Sequence, residues 1–332
     1  MKAIFLCGHE EIVRRVYAEK QMERLRGLVD LDEHVYTSVA ELRNADVKDA
    51  EILFSTWGML SPSEQEIREC LPSLRALFYS AGSVQPFARP FLNCGVRVFS
   101  GWNANGTSVA QFAFAQILLS AKGFVRVRQA MDEEGRTASR KLFEQYPGAY
   151  DIKVGLLGCG AIGSQVAEML KNTDCETWVF DPFLPKERAE QLGVRVTDMA
   201  DIFKNCHVIS NHLANLPATQ GIIKREYLMS MLPYSTFINT GRGAQLNEQD
   251  LYDALKEDPT RTALLDVMTD ELESDEKPLT HLPNCFVTPH MAGACGLEVR
   301  RMADKIADAL EMYLAGERSP AEVTVKMLET MA

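Results

Sequence analysis

Three glycines constrain this chain more than any other feature. Gly158, Gly160 and Gly163 have the spacing G-x-G-x-x-G within the segment Lys153 to Lys171. The segment opens apolar, Val154 to Leu157, which predicts a buried strand. It closes with Ile162, Val166, Ala167, Met169 and Leu170, which predicts a helix face. The spacing asks something different of each glycine: a tight turn out of the strand, room for a pyrophosphate to approach the backbone, and close packing of helix on strand. Free N–H groups at the new helix start would then face phosphates. Glycine turns are common, so the context decides. A second apolar run, Glu176 to Phe180, ends on Asp181, where an acid can hold both ribose hydroxyls of an adenosine. Together these features predict a dinucleotide-binding fold, and Asp181 predicts NAD over NADP.

At 332 residues the chain is long for one core, so two domains are expected. A net charge of -11 argues against nucleic-acid partners and against an anionic membrane surface. No apolar run reaches the length that spans a bilayer. The N-terminus turns polar too soon for a signal peptide and reads as a first strand. Eight cysteines lie scattered without a C-x-x-C pair, several of them, such as Cys7, Cys159 and Cys285, in apolar runs. They read as reduced residues of a cytoplasmic protein, and no metal site is expected.

Residues 1–100 alternate strand and helix signals without a glycine fingerprint. They predict a second parallel sheet covered by helices, with one helix over Glu10–Leu28. The loops Ser55–Met59 and Ser80–Ser83 follow two of its strands, and neither carries Lys or Arg. Asn103–Ser108 reads as a turn-rich break, with Ser108 capping an apolar helix over Val109–Lys122. Residues 126–150 read as charged and irregular. Beyond Asp181, strands are expected at Val208–Ser210, Thr236–Thr240, Thr262–Val267 and Cys285–Thr288, and a last long helix at Glu298–Leu314.

Three polar residues follow these apolar strands. Arg242 lies between Gly241 and Gly243, Glu271 follows the strand ending at Asp266-Val267, and His290 follows Thr288-Pro289. Ligands of open parallel sheets bind beyond the carboxyl ends of the strands, where a nicotinamide would lie. A guanidinium grips a carboxylate in two-point fashion. An imidazole exchanges a proton near neutral pH, and an adjacent carboxylate favours its charged form. Such a set beside a nicotinamide suits reduction of a 2-oxo acid.

The segments Gly-Leu-Leu-Gly-Cys-Gly-Ala-Ile-Gly, Ile-Asn-Thr-Gly-Arg-Gly, Leu-Leu-Asp-Val-Met-Thr-Asp-Glu and Val-Thr-Pro-His-Met-Ala-Gly occur in this order. In them the chain resembles the D-isomer-specific 2-hydroxyacid dehydrogenases, over nearly its whole length. The resemblance implies two doubly wound parallel-sheet domains of α/β class: a Rossmann NAD-binding domain, 104–296, inserted into a flavodoxin-like substrate domain, 1–103 and 297–332. It implies a small 2-oxo or 2-hydroxy acid as substrate, Arg242 as binder of its carboxylate and carbonyl, His290 as acid/base and Glu271 as partner of His290. It places Asp266 near the nicotinamide carboxamide, has Ala161, Ile162, Leu213 and Thr240 line the cofactor, and has Ala81 and Gly82 lend backbone groups to the substrate. It also implies a two-fold homodimer packed through the 109–122 helix. Three positions depart from the family: Gln111 where Glu is usual, Leu272 where Pro is usual, and Val84 where Asp is common.

Transcriptional co-repressors built on the same fold offer a different reading, that of an NAD-binding, partner-binding protein. No long disordered tail or basic arm is apparent at either end, which weighs against it.

Overall fold

The structure, a computed structural model, describes residues 1–271 and 276–329; Leu272 lies outside the described residues. The chain forms two compact units. One comprises Met1–Gly106 and Ala294–Ala332, and the other, Thr107–Gly293, is inserted between them in the sequence.

The first unit contains β1 (Lys2–Leu6), β2 (Asp30–Tyr36), β3 (Ile52–Ser55), β4 (Ala76–Tyr79) and β5 (Arg97–Ser100), parallel in the order β2-β1-β3-β4-β5. This is the flavodoxin-like winding. The inner strands are short apolar runs, Ile-Leu-Phe-Ser and Ala-Leu-Phe-Tyr, buried along their length. Parallel strands covered on both faces have this character.

The second unit contains β6 (Tyr150–Leu157), β7 (Asp174–Phe180), β8 (Arg195–Val196), β9 (Val208–Asn211), β10 (Thr236–Asn239), β11 (Thr262–Leu265) and β12 (Cys285–Val287). They are parallel in the order β8-β7-β6-β9-β10-β11-β12. The first six in winding order give the Rossmann arrangement, with the switch point beside β6. The chain then returns to the first unit through the helix Val299–Leu314. Its last strand, β13 (Glu322–Val323), adds antiparallel to the edge of β5. Arg97 pins this strand by a two-point ion pair to Glu322, both contacts 2.7 Å. So short an edge strand carries no periodicity to read.

Three sequence expectations are corrected. Glu10–Leu28 is not one helix but two, Glu10–Val16 and Glu19–Arg26, parted at the buried Tyr17. Ser108 is not an N-cap. The helix runs from Trp102 to Ala121, and Ser108 is buried inside it. The Ser100 hydroxyl instead accepts the Trp102 N–H, at 3.2 Å, and burial of Ala104, Val109 and Ala110 outweighs the turn preference of Asn103–Gly106. Residues 126–150 are not irregular throughout: they include most of Phe124–Glu133 and all of Arg136–Phe143, both helical. Their charges are laid at i,i+4, joining Arg128 to Asp132 and Arg140 to Glu144, and such pairs support a helix.

No single helix among the described residues is long and apolar enough to cross a membrane. All eight cysteines are free.

Candidate active site

The register of the second sheet builds the site. Phe180, Leu157, Asn211, Asn239, Leu265 and Val287 stand side by side at the carboxyl ends of six neighbouring strands. The next residue of each strand therefore forms a second row: Asp181, Gly158, His212, Thr240, Asp266 and Thr288.

The glycine turn lies in this row. Gly158 has φ +89°, which favours glycine. A Cβ on Gly163 would lie 2.1 Å from the Gly158 carbonyl oxygen, so the helix Gly163–Leu170 approaches the strand as only glycine permits. A Cβ on Gly160 would meet nothing within 4 Å, and the space over it is open. Ala161 and Ile162, half-buried, lead into the helix. The Asp181 carboxylate accepts the Cys159 N–H on one oxygen and the Phe183 N–H on the other, both at 2.8 Å. Each oxygen keeps a further lone pair for a hydroxyl. Thr240 has a buried hydroxyl with no partner, and His212 two buried ring nitrogens with none, among the described residues. Burial pushes the His212 imidazole down to about 4, so it is neutral at physiological pH. An open approach over Gly160, an oriented acid and an unpaired hydroxyl at one edge fit a dinucleotide.

Beneath this row lies a buried amide network. Asn211 Nδ2 donates to Asn239 Oδ1 (2.9 Å) and Gln245 Oε1 (2.6 Å). Asn239 Nδ2 donates to the Arg242 carbonyl (3.2 Å), and Gln245 Oε1 accepts the Arg242 N–H (3.0 Å). Both backbone polar groups of Arg242 are therefore fixed. Its guanidinium donates to the Gly241 carbonyl (2.8 Å) and forms no ion pair among the described residues. A half-buried arginine without a carboxylate is ready to take one. The Leu213 N–H donates to Asn211 Oδ1 (3.2 Å), and its carbonyl accepts from Gln245 Nε2 (2.7 Å).

At the far end of the row, His290 Nδ1 lies 3.0 Å from Glu271 Oε2. This directs Nε2 away from the carboxylate. Both side chains are nearly half exposed, at 48% and 43%. An exposed pair contributes about 0–1 kcal/mol to folding, so stability gives little reason for it. His290 also has φ +53°, a left-handed conformation uncommon outside glycine. Asp266, buried, holds the segment on both sides of it. Its Oδ1 accepts from the Thr288 hydroxyl (2.6 Å) and the Met291 N–H (2.8 Å), and its Oδ2 from the Ala292 N–H (2.8 Å).

In the first unit, Ala81 and Gly82 follow β4. The Ser100 hydroxyl lies 3.0 and 2.7 Å from their carbonyl oxygens, which fixes this turn. Val84 is fully buried in that unit's core and Gln111 is exposed. Among the described residues no three His, Cys, Asp or Glu side chains are grouped to hold a metal ion.

Sequence reasoning missed His212, Thr288 and the amides of Asn211, Asn239 and Gln245. A signal existed for two of them. Val-Ile-Ser-Asn and Thr-Phe-Ile-Asn are buried strands that both end on asparagine, and a buried amide needs a partner.

Comparison with known proteins identifies the family and the fold. Residues 114–292 match the family described as D-isomer specific 2-hydroxyacid dehydrogenase, NAD binding domain. A D-3-phosphoglycerate dehydrogenase of Methanocaldococcus jannaschii is 33% identical over 225 residues, 67% of this chain and 42% of that one; the chain spans less than half that relative's length. A glyoxylate reductase of Korarchaeum cryptofilum is 26% identical over 325 residues, 95% of this chain and 97% of that one. An NAD-complexed D-isomer specific 2-hydroxyacid dehydrogenase from Lactobacillus delbrueckii ssp. bulgaricus shares the fold, with a TM-score of 0.75 at 18% identity over 98% of this chain and 100% of that one. The chain belongs to the D-isomer-specific 2-hydroxyacid dehydrogenase family, and its inserted unit is the family's NAD-binding domain.

Proposed function

We propose that this protein interconverts a small, unphosphorylated 2-oxo acid and the D-2-hydroxy acid, with NAD(H) as cofactor. The observation that carries the reading is the His290–Glu271 pair at 3.0 Å, on the same sheet edge as Arg242, which forms no ion pair among the described residues. Gly158, Gly160, Ala161, Ile162, Gly163, Asp181, Leu213 and Thr240 hold the cofactor, which supplies the hydride when bound. Arg242 grips the substrate carboxylate and steadies its carbonyl. His290 gives its proton to the carbonyl oxygen in reduction and recovers it in oxidation, general acid–base work worth about 10²- to 10⁴-fold. Glu271 orients the imidazole through Nδ1, which leaves Nε2 for the carbonyl oxygen. Asp266 steadies the His290 segment and keeps lone-pair capacity for the nicotinamide carboxamide. Following the family resemblance, we assign Ala81 and Gly82 to the substrate's polar groups.

The loops after β3 and β4 carry no Lys or Arg, which disfavours a phosphorylated acid. We also assign a two-fold dimer through the helix Trp102–Ala121, whose Leu119 is exposed. Eight free cysteines suit a reducing compartment such as the cytoplasm.

The test is NADH oxidation by the purified protein with glyoxylate, pyruvate, hydroxypyruvate and longer 2-oxo acids. Turnover of at least one supports the reading. Silence across the panel with NADH bound normally refutes it and leaves the co-repressor-like alternative.

A further inference from the structure

The Gln245 side chain touches both halves of the proposed chemistry. It is fully buried, and its two amide atoms face opposite ways. Oε1 accepts the Arg242 N–H (3.0 Å) and an Asn211 N–H (2.6 Å); Nε2 donates to the carbonyls of Leu213 (2.7 Å) and Ala214 (3.1 Å). Asn239 completes the frame by holding the Gly241 N–H (3.0 Å) and the Arg242 carbonyl (3.2 Å). Gln245 thus bridges the loop Gly241–Gln245 and the loop after β9 directly, beside the longer route through Asn211 and Asn239. A buried amide in a satisfied network fixes its neighbours strongly, because every alternative placement strands a donor or an acceptor.

We infer that Gln245 is a positioning residue that sets the Arg242 guanidinium and the cofactor-lining Leu213–Ala214 backbone against one another, so that substrate-carboxylate binding and NADH binding are coupled through it. The inference rests on the roles proposed above for Arg242 and Leu213. Gln245 touches neither ligand in this reading. It acts by holding two peptide units.

The substitution Gln245→Met keeps length and flexibility but removes donor and acceptor. Four hydrogen bonds end on this amide, and each is ordinarily worth several-fold in an equilibrium. The variant should raise KM for the 2-oxo acid by about tenfold or more, with a smaller fall in kcat. It should also weaken NADH binding, read without turnover by fluorescence titration, by about three- to tenfold. Arg242→Ala alone should raise KM for the oxo acid and leave NADH affinity near the parent value. The double variant should match Arg242→Ala in kcat/KM, because Gln245 then has no guanidinium left to place, yet keep the weakened NADH binding.

Should Gln245→Met not fold, Gln245→Glu retains the acceptor for Arg242 and turns an acceptor toward the Leu213 and Ala214 carbonyls. It should then lose NADH affinity out of proportion to its KM. Multiplicative losses in the double variant, or an unchanged NADH affinity in Gln245→Met, overturn the inference. An Arg242→Ala variant with unaltered KM would instead refute the assignment of Arg242 itself, so the two failures are distinguishable.

Discussion

Replacing Asp266 with asparagine separates two roles for one buried carboxylate. Its oxygens take three hydrogen bonds from the Thr288–Ala292 segment, two on Oδ1 and one on Oδ2. An amide has a single acceptor oxygen. Turned toward Thr288 and Met291, it loses the Ala292 bond and sets an NH₂ group against that N–H. Turned the other way, it loses two bonds. At least one bond to a charged acceptor disappears, worth about 1.5–3 kcal/mol. The segment includes His290 at φ +53°, which relaxes once its flanks are loosened. If the whole loss falls on the placement of His290, kcat drops by about 10- to 150-fold, since about 1.4 kcal/mol is tenfold. The assay is kcat at saturating NADH beside the NADH dissociation constant from fluorescence, with a denaturation curve to confirm folding. The loop role predicts a fall in kcat with NADH affinity within a few-fold of the parent. NADH binding weakened by the full factor, with kcat intact at saturation, would refute it and leave Asp266 as a cofactor contact alone.

Three further outcomes are expected. Glu271→Ala removes the oxygen that meets His290 Nδ1 at 3.0 Å, so kcat should fall with NADH affinity near the parent's; an unchanged kcat would show that Glu271 does not orient His290. Asp181→Ala should raise the ratio of kcat/KM for NADPH to that for NADH, because a carboxylate about 4 Å from a 2′-phosphate costs about 4 kcal/mol at an effective dielectric near 20, less where solvent enters; an unchanged ratio would mean that Asp181 is not at the ribose. His212 is held to about 4 by burial, against about 6.5 when unfolded, so between these values the unfolded chain binds the extra proton and stability falls as pH drops. Over that window the loss approaches 3 kcal/mol at 1.36 kcal/mol per pH unit, and denaturant unfolding of parent and His212→Asn at pH 7.5 and 4.5 should show a smaller pH dependence in the variant.

The parts legible in the sequence share one property: the chemistry depends on residues close together in the chain. Gly158 to Gly163 and the acid closing the next strand are read by spacing because the turn, the helix start and the bond from the Cys159 N–H to Asp181 all fall within one strand–helix–strand unit. Arg242 and His290 stand out because each interrupts an apolar-to-glycine or apolar-to-proline boundary. The edge strand β13 is too short to carry a pattern. The start of the helix at Trp102 lies among residues that locally prefer a turn, and only burial against distant residues decides it.

The amide network shows why the remainder stayed hidden. Asn211 and Asn239 are 28 residues apart and meet only because β9 and β10 align in register, residue for residue. Gln245 is a further six residues on, in a short 3₁₀ turn that brings it back under both strands. No local pattern distinguishes it from the neighbouring polar residues Asn247 and Gln249, which cap and face a surface helix. What separates them is burial, and burial follows from the sheet. The same dependence explains His290. Its identity was readable, but its left-handed backbone was not, because the groups that hold it belong to Asp266, 24 residues earlier and just beyond β11. Side-chain chemistry at this edge is written in short motifs, while the placement of that chemistry is written in strand register. Substitutions at Asp266 and Gln245 should therefore alter the function without altering any residue assigned to proton transfer or to the substrate carboxylate.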